Sequence, residues 1–195
     1  HAPPSFSDRS TLWNSVEQTE KSNNSQLARE IELALPVELS REEQTRLVRE
    51  YCSSQFVSKG MCADFNIHDT GSGNPHAHIL LTMRPLDEKG AWAAKSKKEY
   101  VLDESGEKIL LPSGRYKTRK IDLMDWNRQE NADLWRKAWA DMANDFLEQN
   151  GSAERIDHRS NAERGIDEIP TVHMGVAACQ MEKKGIATEK GELNR

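Results

Sequence analysis

Long apolar runs are missing from this sequence of 195 residues, and cysteines are few and scattered. No run approaches the roughly 18 apolar residues that a membrane-spanning helix requires, so we expect a soluble, cytoplasmic protein without membrane insertion. Cys52, Cys62 and Cys179 form no CxxC pair, which argues against a disulfide framework and against a thiolate zinc site. An excess of positive charge is also lacking. The formal net charge of −5 argues weakly against a nucleic-acid partner, so the local distribution of charge must decide.

A hydrophobic fraction of 36% beside a charged fraction of 30% is enough for a folded core under a heavily solvated surface. The alternation of apolar and acidic residues over 28–35, ended by Pro36, predicts a half-buried strand. Ser40 followed by Glu43 is a capping box that begins a helix running to about Ser58. Periodicity also predicts strands at 61–68 and 76–84 and helices at 10–21 and 124–149. Together these elements predict an α/β (α+β) fold, an antiparallel sheet with helices packed on one face.

Three of the six histidines fall within eleven positions. His76 and His78 share a face of their strand, and His68 ends the strand that a turn at 69–74 would pair with it. A hairpin would bring the three imidazoles together on the sheet face opposite the helices. Three neutral nitrogens suit a divalent cation, favour Mn, Co, Ni or Zn over Mg, and leave positions open for substrate or water. For any single one, the alternative is an ordinary polar residue on a solvated sheet face.

Acidic residues lie close to this predicted site in the same pattern. Glu30 and Glu32 occupy the polar face of the first predicted strand, which is expected to neighbour the histidine hairpin. Either carboxylate could orient a histidine or act as a base, and an outward-facing acidic strand is the alternative for each. Asp64 and Asn66 share the face of His68 by the same alternation and are weaker candidates for supporting the ligands.

The segment 86–120 is polar, contains glycine and lacks periodicity. Between Lys95 and Lys120 there are eight Lys and Arg residues against four acids, a local balance of +4. Seven of these cations are candidates for neutralising DNA phosphates: Lys95, Lys97, Lys98, Arg115, Lys117, Arg119 and Lys120. Tyr100 and Tyr116 could stack on bases, as aromatic residues do in single-strand grooves. A solvated charged loop is the alternative.

Two runs around the histidines, 66–69 (NIHD) and 74–84 (NPHAHILLTMR), closely resemble the third motif of MobA/MobL-type (MobQ) plasmid relaxases. The run at 28–36 (AREIELALP) is similar to the second motif of that family. Similarity to its C-terminal signature lies at 155–160, 165–166 and 170–175. The resemblance covers residues 12–185, nearly the whole chain. A string of this length is far more specific than a bare His-x-His.

These relaxases are single-strand nickases of the histidine–hydrophobe–histidine class. The resemblance implies a relaxase domain over 1–185 and a tail at 186–195. Independently of the resemblance, the sequence after Gly175 is expected to be loosely ordered. The resemblance also implies a transesterification on single-stranded DNA at a plasmid transfer origin, which initiates conjugative transfer with accessory proteins of a transfer complex. Mg²⁺ or Mn²⁺ on the three histidines would polarise the phosphoryl oxygen, and Glu30 or Glu32 would help to deprotonate the attacking tyrosine. DNA would lie near the basic segment.

The nucleophile is the point at which this sequence departs from the family. The family's tyrosine lies in an N-terminal segment ahead of the part that corresponds to His1, and the chain starts without a methionine. Tyr51 belongs to an amphipathic helix, while Tyr100 and Tyr116 lie in the basic segment. We therefore expect the chain by itself to bind metal and DNA without nicking.

Three other functions fit the same residues. A replication initiator of the same metal class would need a tyrosine on a helix downstream of the histidine strand. A water-using metal-dependent nuclease would share the three-histidine site and need no tyrosine. In a non-catalytic DNA-binding module the histidines would be structural and the basic segment would bind DNA. The first two functions require a metal, and the third does not.

Overall fold

The computed structural model describes residues 2–69, 71 and 73–195, which divide into two compact units with the boundary after Asp157. The elements of the first unit are α1 (Arg9–Thr19), β1 (Ala28–Ala34), α2 (Arg41–Gln55), β2 (Ala63–His68), β3 (His76–Thr82), β4 (Ser96–Tyr100), β5 (Thr118–Asp122) and α3 (Glu130–Gln149). The three predicted strands and three predicted helices are confirmed as β1 to β3 and α1 to α3. Within the predicted turn at 69–74, Thr70 and Ser72 lie outside the described residues.

Strands β1, β3 and β2 form an antiparallel sheet in that order, with β3 in the middle. Ile79 is paired with Ile31 of β1 and with Phe65 of β2. Residues paired across an antiparallel ladder point to the same side, and successive residues alternate, so His78 points the other way. The sheet therefore has a core face, which carries Ile79, and a histidine face, which carries His78.

The core face is covered by α2 and α3. Ala77, Ile79 and Leu81 of β3 have no exposed surface, and they belong to one apolar cluster with residues of both helices. The cluster includes Tyr51 of α2, whose hydroxyl donates to the Trp135 carbonyl at 3.0 Å. Burial of this many apolar side chains against one side of the sheet holds the strands in a single register, because a shift by one residue would expose them. The predicted α+β fold with an antiparallel sheet is confirmed, and α2 and α3 cover one face of the sheet as predicted.

Helix α1 contacts the histidine face. Asp8 caps its N-terminus by accepting from the Thr11 amide. Arg9 and Trp13 of this helix both donate to the carboxylate of Asp64, at 2.6 and 3.0 Å. Asp64 is paired with Leu80 in the sheet and therefore lies on the histidine face. This helix thus bounds the histidine face at the end of the sheet where β2 begins.

The basic segment contains strands, although its sequence predicted no regular element. Strands β4 and β5 pair antiparallel. Beyond them, bridges from Leu102 to Lys108 and from Leu110 to Tyr116 close two loops whose glycines have φ of +83° and +75°. A glycine is required at such positive φ values. The pairing escaped the sequence pattern because both faces of this ribbon are largely solvated, so apolar residues do not recur at every second position. We call residues 96–122 the basic ribbon.

The second unit contains α4 (Gly175–Lys183) and α5 (Glu189–Leu193). The expectation of loose order after Gly175 was therefore wrong. Short-range hydrogen bonds support these turns: Thr188 caps α5 by accepting from the Gly191 amide, and Glu182 accepts from Thr188. Within the described part of the chain, no helix combines the length and apolar character needed to cross a membrane.

Candidate metal centre

Three imidazoles converge on the histidine face. The rings of His68 and His78 are 4.7 Å apart between centroids, those of His76 and His78 are 5.1 Å apart, and those of His68 and His76 are 5.5 Å apart. One ring nitrogen from each histidine lies within 4.8 Å of the other two. The structure therefore brings together the three residues that the sequence singled out, in a group that could hold one metal ion.

The strand pairing explains this convergence. His68 is directly opposite His76, so the two side chains leave the sheet side by side. His78 is two residues further along β3 and points the same way. A cluster of this shape needs only the hairpin register, and the buried core face holds that register.

Hydrogen bonds fix the orientation of two of the rings. Nδ1 of His76 is 2.9 Å from the Asn74 carbonyl oxygen, and Nδ1 of His78 is 2.8 Å from Oε1 of Glu30. Both partners are acceptors, so Nδ1 carries the proton in each neutral ring and Nε2 keeps its lone pair. A histidine that donates its other N–H to a carboxylate or carbonyl is a typical metal ligand.

The centre is open to solvent on one side. His68 is exposed, and His76 and His78 are half-buried. Three nitrogen ligands leave coordination positions that a phosphate oxygen or water could occupy. The donor set fits a divalent cation such as Mn²⁺ or Zn²⁺, because neutral imidazole nitrogen is intermediate in softness.

The two candidate carboxylates differ in position. Glu32 is the residue paired with His78, yet it is Glu30, one step away on the same face, that contacts the His78 ring. Both side chains lie on the exposed surface, and that of Glu30 keeps 59% of its area in contact with solvent. Glu30 is therefore placed to orient a ligand, while Glu32 lies beside the centre without that contact.

Asp64 and Asn66 have separate positions on the same face. Asp64 accepts from Arg9 and Trp13, so its carboxylate fastens α1 to the sheet and does not support a histidine. Asn66 is exposed and is paired with His78 across the ladder. The sequence pattern placed both residues on the right face, and only the packing of α1 separates their roles.

None of the three tyrosines lies at the histidine face beside the centre. Tyr51 is 1% exposed and belongs to the core cluster on the other side of the sheet, where burial raises the pKa of its phenol. Tyr100 and Tyr116 lie in the basic ribbon. In the chain, the ribbon follows the Thr82 end of β3, whereas His76 is at the other end of that strand. His158 and His173 lie in the second unit.

The predicted DNA-binding cations have unequal surroundings. Lys95 is engaged, with its ammonium 2.8 Å from the buried carboxylate of Glu20 and 3.1 Å from the Gln26 carbonyl. Ion pairs in the basic ribbon join Lys97 and Arg119 to Glu99, and Lys120 to Asp122. The remaining candidates, Lys98, Arg115 and Lys117, are exposed.

Sequence reasoning missed several residues that shape these sites. Arg9 and Trp13 bind Asp64, which is about fifty residues away in the sequence. Local sequence patterns do not predict contacts between residues so far apart. The Asn74 carbonyl is a backbone group and has no sequence signature, although the Pro75 that follows favours the extended conformation that directs it. Lys108 was also overlooked. Its ammonium lies over the rings of Tyr100 and Tyr116, and only the folded loops bring these two rings together.

Known proteins resemble this chain throughout its length. The sequence model of the MobA/MobL family matches residues 1–184. A probable mobilization protein MobA of Bifidobacterium longum is 35% identical over 210 residues, which cover 100% of this chain and 37% of that protein. The conjugal transfer protein TraA of Agrobacterium fabrum is 39% identical over 174 residues, 89% of this chain and 15% of that protein. The mobilization protein A of Escherichia coli is 34% identical over 191 residues, 97% of this chain and 25% of that protein.

A solved structure is similar as well. It comes from work on the molecular basis of vancomycin resistance transfer in Staphylococcus aureus, and its chain matches with a TM-score of 0.66 and 35% sequence identity. The match covers 82% of this chain and 71% of that chain. The three sequence relatives are much longer, since this chain spans between 15% and 37% of their lengths.

Proposed function

The chain belongs to the MobA/MobL family, and on that premise we propose that it is the metal-binding part of a relaxase. The whole relaxase would act in the cytoplasm, nicking single-stranded DNA at a plasmid transfer origin and so initiating conjugative transfer. The observation that carries this proposal is the convergence of His68, His76 and His78 on an exposed sheet face, with two of the rings already oriented. The partners would be transfer-origin DNA and accessory proteins of a transfer complex.

Each residue of the centre has a proposed role. The three histidines would hold one divalent ion. Mn²⁺ or Mg²⁺ would support the reaction, and Zn²⁺, Co²⁺ or Ni²⁺ would also bind at the site. When bound, the ion supplies Lewis-acid polarisation of a phosphoryl oxygen. Glu30 keeps the proton on Nδ1 of His78 and so presents Nε2. Glu32 lies exposed beside the same ring, and we assign to it the acceptance of the nucleophile's proton.

We propose that none of the three tyrosines of this chain is the attacking group. Tyr51 is separated from the histidine face by the sheet, and its hydroxyl is committed to the Trp135 carbonyl. A buried phenol with a raised pKa is a poor nucleophile, since deprotonation is disfavoured. Tyr100 and Tyr116 lie in the basic ribbon. These 195 residues by themselves are therefore expected to bind metal and DNA without cleaving the strand.

A water-using nuclease is the second candidate, and the position of Tyr51 favours it. A half-open three-histidine centre can accept water as the fourth ligand. The two reactions leave different products, because a tyrosine nucleophile stays attached to the 5′ end of the DNA and water does not. Denaturing electrophoresis of labelled single strands after incubation with Mn²⁺ distinguishes them. Free 5′-phosphate ends produced by this chain alone would overturn the tyrosine mechanism in favour of water.

The metal role is tested by titration calorimetry with Mn²⁺ and Zn²⁺. We expect the wild-type chain to bind one ion and the His76→Ala/His78→Ala variant to bind none. The matched control is His158→Ala/His173→Ala, which removes the same number of imidazoles from the second unit and is expected to retain binding. Absence of binding by the wild type, or equal loss in both variants, would remove the metal centre from the proposal.

A further inference from the structure

The basic ribbon has two chemically different faces. Lys98 is paired with Lys120, and Tyr100 with Thr118, so these residues point to one side. Lys97, Glu99 and Arg119 alternate with them and point to the other side. We call the first the aromatic face and the second the paired face.

The paired face neutralises part of its own charge. The carboxylate of Glu99 is 2.8 Å from the ammonium of Lys97 and 3.4 Å from the guanidinium of Arg119. These contacts lower the pKa of Glu99, first through the hydrogen bond and charge of Lys97 and then through Arg119. One carboxylate thus serves both cations, and a phosphate would have to compete with it.

The aromatic face instead combines exposed rings with cations. Tyr100 and Tyr116 are each 50% exposed and lie edge to face with centroids 5.8 Å apart. The ammonium of Lys108 is 4.1 Å from the centroid of Tyr100 and 5.6 Å from that of Tyr116. Lys98 and Lys120 follow on the same face towards the base of the ribbon, where Asp122 pairs with Lys120.

We infer that the aromatic face, and not the paired face, binds unpaired bases of single-stranded DNA, with Tyr100 and Tyr116 as the stacking surface and Lys98, Lys108 and Lys120 as phosphate contacts. This rests on the proposed function for the presence of DNA. Aromatic rings held beside ammonium groups match a nucleotide, which presents a flat base and an adjacent anion. Stacking also requires an unpaired base, so a duplex of the same sequence is a poorer ligand.

This surface is distinct from the metal centre. Strand β3 contains seven residues from His76 to Thr82, so its two ends are about 20 Å apart, and the basic ribbon follows the Thr82 end in the chain. Lys95, just before the ribbon, is fixed there by Glu20. A DNA strand bound on the aromatic face would therefore have to extend along the sheet to reach the histidines. The ribbon would position the DNA without touching the reacting phosphate.

The test is fluorescence anisotropy with labelled oligo(dT) of roughly 16 nucleotides, a length at the upper end of known single-strand sites. Tyr100→Ala/Tyr116→Ala is expected to raise the Kd about 5- to 150-fold, the range for losing stacking on one base. Tyr100→Phe/Tyr116→Phe keeps the rings and is expected to bind within about twofold of the wild type. Phe variants as weak as the Ala variants would overturn the stacking role.

Charge pairs on the two faces give a matched comparison. Lys98→Ala/Lys120→Ala and Lys97→Ala/Arg119→Ala each remove two positive charges from the same ladder. Lys98 and Lys120 are partners on one rung, and Lys97 and Arg119 lie on the two adjacent rungs. We expect the first pair to lower the slope of log Kd against log salt by about 0.7 to 1.4, the values for one and two single-strand phosphates, because Asp122 competes for Lys120. The second pair is expected to leave the slope unchanged. Equal effects would overturn the choice of face while leaving DNA binding intact. No binding by the wild type to any single strand would instead contradict the DNA partner in the proposed function.

Discussion

The β1-β3-β2 sheet and the basic ribbon are both antiparallel, but they are held in opposite ways. In the sheet, Ala77, Ile79 and Leu81 are fully buried beneath two helices. In the ribbon, Ile121 is the half-buried apolar residue of β5, and its neighbours are exposed. A face buried in a core holds strand register strongly, whereas cross-strand pairs alone contribute little each. The ligands of the proposed metal centre lie on the rigid element, and the proposed DNA contacts lie on the weakly held one.

The same contrast applies to charge. Glu20 and Glu99 each join two cations, Glu20 bridging Arg84 and Lys95. The side chain of Glu20 is only 4% exposed, while that of Glu99 is 36% exposed. A buried carboxylate cannot exchange its partners for water, so the Glu20 contacts connect α1 to the end of β3 and the start of the ribbon. The exposed contacts of Glu99 chiefly reduce the local charge.

The largest difference is expected from removing the same side chain in the two elements. Ile79→Ala should lower the free energy of unfolding by about 3 to 4 kcal/mol, because it leaves a cavity at the centre of the core face. Ile121→Ala should cost less than about 1 kcal/mol, since the site is half-solvated and can collapse. Urea denaturation followed by circular dichroism measures both. Similar losses would show that the ribbon is packed as firmly as the sheet.

A smaller effect is expected from the two bridging carboxylates. Glu20→Gln should cost about 2 to 3 kcal/mol, at or just below the roughly 3 to 5 kcal/mol for breaking a fully buried ion pair, because Arg84 and Lys95 keep 21% and 27% of their side chains exposed. Glu99→Gln should change stability little. Urea titrations of the two variants beside the wild type provide the comparison, and a costly Glu99→Gln would contradict it.

The pH dependence follows from Glu20. Burial would raise its pKa, but the hydrogen bonds and charges of Arg84 and Lys95 outweigh burial and hold the pKa below its ordinary 4.5. The folded state thus binds the proton less readily than the unfolded state. The contribution of Glu20 is fully present above pH 4.5 and is lost as pH falls through the lowered value. Wild-type stability should therefore fall more steeply than that of Glu20→Gln below that pH. Parallel curves would contradict this role.

The last comparison is between the two carboxylates beside the metal centre. Glu30→Ala should weaken Mn²⁺ binding about 10- to 100-fold, because His78 loses the acceptor that orients its ring. Glu32→Ala removes an equal charge from the same strand and should weaken binding less. Calorimetric titration of both variants at one ionic strength provides the comparison. A larger loss in Glu32→Ala would transfer the orienting role to Glu32.

Prediction from the sequence succeeded where the pattern was regular. Alternation in β1 and β3 placed Glu30, His76 and His78 on one face, and the hairpin brought His68 to them. The family resemblance was confirmed by the match over residues 1–184. The strands of the ribbon were not found, because two solvated faces leave no apolar alternation to detect.

The sequence by itself determined the identity of the three histidines, their shared strand face and the chemistry of their donor atoms. Those properties depend on residue type and on a repeat of two along a strand. Tertiary structure alone decided that Glu30 and not Glu32 contacts His78, that Asp64 binds α1, and that Lys95 is bound to Glu20. Each of these is a choice among several polar partners of similar chemistry. Such a choice is settled by which side chains the packed helices and strands bring within hydrogen-bonding distance.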